Sequence, residues 1–189
     1  MGKTELPELQ CGDTILMSSR SFISTAIRWF TRAKGEPASR VSHVAGMISP
    51  ELCSEALARN TIHKFKPHLS RQTIIIYRPK HLNFGHRIKI REYCEKVEDR
   101  WYGFWKLIPQ AKDGLMMRLF GWDPKTRAAN RQTSKYQICH EHWALALEYA
   151  TGNNKVFGKA WWELTPDEMD DYCGTSPTEF ELIFSHVKE

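Results

Sequence analysis

Short apolar runs bounded by turn residues alternate along this chain with stretches of helical periodicity. The turn signal Cys11-Gly12-Asp13 precedes Thr14-Ile15-Leu16-Met17, a β-prone run that predicts a strand. Apolar residues then recur three and four apart at Ile23, Ala26, Ile27 and Phe30, which predicts an amphipathic helix ending near Lys34-Gly35. Two more β-prone runs, Ser42-His43-Val44-Ala45-Gly46-Met47-Ile48 and Leu52-Cys53-Ser54-Glu55-Ala56-Leu57, flank the turn Ser49-Pro50-Glu51. So tight a spacing predicts an antiparallel hairpin.

Thr73-Ile74-Ile75-Ile76-Tyr77 predicts a buried strand closed by Arg78-Pro79. A helix fits residues from about Gly85 to Tyr102, with Ile90, Tyr93, Cys94, Val97 and Trp101 on one face. Residues 109–135 carry Leu115, Met116, Met117, Leu119, Phe120 and Trp122 and then a basic, polar stretch, the pattern of a packed edge, a lid or an apolar substrate-binding insertion. From Cys139 to Ala150 the chain is helical and apolar almost all round, which predicts a buried central helix. Thr165-Pro166-Asp167-Glu168 combines an N-cap, a proline at the first helical position and a capping-box glutamate, and Phe180-Glu181-Leu182-Ile183-Phe184 reads as a last strand. Mixed elements with hairpin strands give an α+β class, and 189 residues, 41% of them hydrophobic, suit a single domain over 1–189.

Composition changes this picture little. The net charge is +5, but Lys and Arg are scattered from Lys3 to Lys188, so no dedicated nucleic-acid footprint is expected. Five cysteines without a CxxC pair fit reduced thiols better than a disulfide framework. No signal-peptide core, myristoylation signal or spanning apolar stretch is visible, so the expectation is a cytoplasmic protein, with peripheral membrane contact not predicted. Oligomeric state is not set by the sequence.

Cys139 stands at the predicted start of a helix, where free amides and the positive end of the macrodipole favour a thiolate. A cysteine is more often simply buried, and a lone strand histidine more often a satisfied core residue. His43, however, interrupts an apolar strand, and Glu55 interrupts the adjacent one. A carboxylate beside an imidazole fixes its tautomer and stabilises its charged form, the third role beside a nucleophile and a base. Tyr136, three residues before Cys139, is a candidate oxyanion donor or an aromatic staple into the core.

Taken in order, Gly12-Asp13-Thr14-Ile15-Leu16, Phe22-Ile23-Ser24-Thr25-Ala26-Ile27-Arg28-Trp29 and Ser42-His43-Val44-Ala45-Gly46-Met47-Ile48 resemble the opening of the permuted NlpC-type papain-like superfamily. The YiiX-like branch shows this order, and lecithin retinol acyltransferase-like proteins are relatives. The resemblance implies a circularly permuted papain-like fold, with a small antiparallel sheet packed on a central helix that starts with the nucleophile. It assigns His43 as base, Glu55 as orienting carboxylate and Cys139 as nucleophile. Lys135-Tyr136-Gln137-Ile138-Cys139 resembles the approach to that cysteine and puts Tyr136 near the oxyanion hole. Relatives usually carry Cys-Ser-Glu where this chain has Cys139-His140-Glu141-His142.

The activity so implied is thiol hydrolysis of an amide bond, as a peptidase or amidase on a peptide, cell-wall or isopeptide substrate. The alternatives are lipid acyl hydrolysis or transfer by the same mechanism, and a non-catalytic peptide- or lipid-binding module using the Leu115–Trp122 patch. No cofactor is implied. A metal at Cys139, His140 and His142 is disfavoured because the three do not share one helix face, His140 standing next to Cys139 in sequence, and because no HExxH occurs.

Overall fold

The hairpin predicted at residues 42–57 is the seed of the sheet. In the computed structural model, which describes residues 6–19, 39–67, 69, 72–101 and 137–187, six strands are described: β1 (Thr14–Ser19), β2 (His43–Met47), β3 (Leu52–Ala56), β4 (Asn60–Lys64), β5 (Gln72–Pro79) and β6 (Phe180–His186). They form one antiparallel sheet in the order β4-β3-β2-β1-β5-β6. Three helices accompany it, α1 (Phe84–Lys96), α2 (Cys139–Thr151) and α3 (Pro166–Thr175), so the class is mixed α+β.

Strand alternation divides the apolar residues between the two faces of the sheet. Leu16, Val44 and Ile75 join Trp143, Ala146, Leu147 and Ala150 of α2 in the larger core, while Ile15, Ala45, Met47, Cys53, Ile74 and Ile76 form the smaller one. Gly46 lets α2 come close, because a Cβ there would stand 2.1 Å from the Trp143 ring. The indole Nε1 donates to Thr14 Oγ1 at 2.9 Å, which ties α2 to β1 as well. Helix α2 ends where Gly152 takes a left-handed φ of 73° and its N–H reaches Glu148 O.

Several sequence expectations need correction. The helix expected over about 85–102 stops at Lys96, since Val97 caps it and Asp99 turns the chain with a φ of 62°. Trp101 therefore leaves the buried face. It is exposed, it bridges to Arg59, and the Arg59 guanidinium lies 4.2 Å from its ring centre. Strand β4 was not expected at all, because Asn60-Thr61-Ile62-His63-Lys64 carries one apolar residue and sits at the sheet edge. Thr165 does cap α3, accepting from Glu168 N, but the Glu168 carboxylate meets Lys159 instead of closing a capping box. The helix expected near residues 21–34, the segment 109–135 and Tyr136 lie outside the described residues. Among the described residues no helix is long and apolar enough to cross a membrane.

Candidate active site

Cys139 is the first residue of α2, entered from Ile138 in extended conformation. The first intrahelical bond runs from His142 N to Ile138 O at 2.9 Å, so the amides of Cys139, His140 and Glu141 precede it. Glu141 Oε2 reaches back to Ile138 N at 3.3 Å, which places a carboxylate where the helix dipole favours one.

A buried polar network holds this turn in place. Gln137 donates through Nε2 to Tyr93 Oη at 2.7 Å on α1, and its Oε1 faces His142 Nδ1 at 3.2 Å. His142 Nε2 meets Ser54 Oγ of β3 at 2.8 Å. With Nδ1 donating to the amide oxygen, Nε2 accepts from the serine hydroxyl, so His142 is satisfied as a neutral ring. Burial, together with the His43 charge, holds its pKa down at about 4, which agrees. Asn60 at the start of β4 donates to Val97 O at 3.1 Å and extends the network towards Gln137.

His43 begins β2, and Glu55 stands on β3 opposite Ala45, one diagonal step away on the same face. The His43 Nε2 to Glu55 Oε2 distance is 2.5 Å. Burial opposes charge on the His43 ring, but the Cys139 sulfur, which charges and hydrogen-bonds to it, and the Glu55 carboxylate together raise its pKa to about 10. Burial likewise opposes a Cys139 thiolate. The His43 charge and hydrogen bonds from His140 and His43 reverse this and hold the thiol well below its ordinary value. The two shifts belong to one thiolate–imidazolium pair and not to either residue alone.

The structure thus brings together three residues picked from sequence, His43, Glu55 and Cys139. Two others were missed. His63 of β4 takes the other oxygen of the same carboxylate, Nε2 to Glu55 Oε1 at 2.5 Å. His140 hydrogen-bonds to the Cys139 sulfur, and its Nε2 is buried without a partner. The sequence signal for His63 was its position two residues beyond Thr61, which pairs with Glu55, but that needs β4 to be recognised first. The His43 and His140 contacts separate Cys139 from the other thiols. Where burial prevails it pushes Cys53 and Cys94 up to about 12 and Cys11 to about 11, and all five cysteines are free.

No family model matches the sequence, and no curated protein matches it. Among solved structures the chain is similar to the crystal structure of the metalloprotein YiiX from Escherichia coli O157:H7, with a TM-score of 0.54 over 94% of this chain and 89% of that one. The two sequences are 15% identical. At that identity the likeness is one of fold. The chain has a YiiX-like α+β fold.

Proposed function

We propose that this chain is a thiol hydrolase of the permuted papain-like type, a single domain in which Cys139 attacks the carbonyl of an amide. The observation that carries this reading is the Cys139–His43–Glu55 chain, in which a thiol held below its ordinary pKa meets an imidazole that a carboxylate holds at 2.5 Å. A structural cysteine in an apolar site would be pushed up, as Cys53, Cys94 and Cys173 are.

In the reaction so proposed, the Cys139 thiolate adds to the carbonyl carbon, and the carbonyl electron pair moves to oxygen. The amides at the start of α2 face the developing oxyanion. The tetrahedral adduct collapses, the C–N bond breaks and His43 gives its proton to the leaving nitrogen. Neutral His43 then takes a proton from water as the hydroxide attacks the thioester, releasing a carboxylic acid and restoring the thiolate–imidazolium pair. Glu55 keeps the ring oriented and its charge balanced throughout.

The YiiX structure is that of a metalloprotein, which raises a metal for this chain. The donors here do not fit one. Both oxygens of Glu55 are taken by imidazoles, and both nitrogens of His142 are engaged by Ser54 and Gln137. Among the described residues no three His, Cys, Asp or Glu side chains are placed to hold an ion.

The test is Cys139→Ala against a panel of peptide, isopeptide and acyl-ester substrates, with mass spectrometry for an acyl adduct on the wild type. Loss of turnover in a folded variant, with an adduct on Cys139 in the wild type, is the expected result. Turnover retained in Cys139→Ala would sink the mechanism.

A further inference from the structure

Glu55 is a carboxylate shared between two imidazoles. His43 occupies Oε2, on the side of the thiol, and His63 occupies Oε1, on the side of the sheet edge. Donor counting fixes what His63 contributes. Its Nδ1 lies 3.1 Å from Lys64 O, a pure acceptor, and its Nε2 lies 2.5 Å from a carboxylate oxygen, also an acceptor. A neutral imidazole has one N–H and can satisfy only one of these. Glu55 itself is held as a carboxylate: burial would raise its pKa, but the His43 and His63 contacts outweigh burial and lower it. The 2.5 Å contact assigns the N–H to Nε2, which donates to Glu55 Oε1.

With 44% of its side chain exposed, His63 stands at the solvent edge of the sheet, where Cys53 Sγ flanks its Nε2 at 3.7 Å. The chain from solvent to sulfur is His63, Glu55, His43 and Cys139.

We infer that His63 is a fourth member of the site, a positioning residue that locks the second oxygen of Glu55 and, through it, sets how firmly His43 holds the Cys139 thiolate. The inference rests on the thiol-hydrolase reading above and adds a residue to that site. Without His63, one oxygen of Glu55 loses its donor, the carboxylate is free to turn, and His43 is held less firmly beside the Cys139 thiolate.

The experiment is the pH profile of Cys139 alkylation by iodoacetamide, read by mass spectrometry of the Cys139 peptide in wild type, His63→Ala, Glu55→Gln and the double variant. Circular dichroism confirms the fold of each. The expected result is a wild-type Cys139 that reacts well below pH 8, and a His63→Ala profile displaced to higher pH with about a tenfold loss of rate at pH 6. In the Glu55→Gln background, the same His63→Ala change should have no further effect, because its route to the thiol has been removed. His63→Gln, which keeps a donor for Glu55 on a differently shaped side chain, should fall between wild type and His63→Ala.

A His63→Ala profile that coincides with wild type would overturn the inference and leave the thiol reading standing. An equal His63→Ala effect with and without Glu55 would also overturn it, since His63 would then act by another route. A wild-type Cys139 with an ordinary thiol profile would overturn the thiol-hydrolase reading itself, and this inference with it.

Discussion

Two buried carboxylates on the same sheet are partnered in opposite ways. Asp13, just before β1, is fully buried and gripped by Arg78 of β5 through two bonds, Nε to Oδ1 and NH2 to Oδ2, each 2.8 Å, while Gln10 N adds a third at 2.8 Å. Glu55 on β3 is gripped just as closely, but by two imidazoles. A guanidinium does not give up its proton in a protein, so the Asp13 pair is fixed in charge and serves the fold. An imidazole can gain or lose a proton, so the charge of the Glu55 set is not fixed in the way the Asp13 pair is. The half of the sheet built from β1, β5 and β6 therefore reads as scaffold, and the half built from β2, β3 and β4 as the working edge.

The largest effect that would sharpen this contrast is on the scaffold side. Asp13→Ala leaves Arg78 with its main partner gone in a site of low exposure, and removal of one partner of a buried pair costs about 3–5 kcal/mol. Chemical denaturation should show that loss, while the alkylation profile of Cys139 in the surviving folded protein should match wild type. A changed profile would break the division of labour between the two halves.

On the working edge the expected loss is read first in reactivity. In His43→Ala the thiol keeps only His140 as a hydrogen-bond partner, and burial then favours the neutral thiol. Cys139 alkylation at pH 6 should fall about a hundredfold, worth about 2.7 kcal/mol. The same rate in His43→Ala as in wild type would mean that His140 alone holds the thiolate, and His43 would have to be removed from the mechanism.

How much of this was legible in the sequence follows from the same contrast. The hairpin of β2 and β3, the strand β5, the buried helix α2 and the start of α3 announced themselves through apolar runs, a turn and an N-cap, because each buries a continuous face. Cys139, His43 and Glu55 were legible because each breaks a local rule, a polar group inside an apolar run or a thiol at a helix start. His63 breaks none. On a polar edge strand a histidine is unremarkable, and only the register that sets Thr61 opposite Glu55 brings it to the carboxylate. The end of α1 was misjudged for a related reason. Val97 and Trp101 continue the helical spacing, but Asn60 pairs with Asp99 N and Arg100 O, and those long-range bonds end the helix where local pattern would extend it.

The smallest effect is also the most diagnostic, the pH dependence of stability contributed by the Cys139–His43 pair. His43 is raised to about 10, so its contribution is fully present below its unfolded value and is lost as pH rises through about 10. Cys139 is lowered, so its contribution is present above its unfolded value and is lost as pH falls through its depressed one. Between the two unfolded values, about 6.5 for His and 8.5 for Cys, the folded pair and the unfolded pair each hold one proton, and the slope is zero. Glu55 and His63 on the sheet and His140 and His142 on α2 face the same pair and are unchanged in Cys139→Ser, so subtracting that variant's stability from wild type isolates the pair. The difference should rise to a plateau across neutral pH and fall on both sides, by at most about 1.4 kcal/mol per pH unit. A difference that is flat on the acid side and falls only above about 8.5 would mean that the proton stays on sulfur, since a thiol with a raised value keeps its proton there while the unfolded chain loses it. Cys139 would then belong with Cys53 and Cys94 as a buried thiol, and the working edge would be scaffold as well.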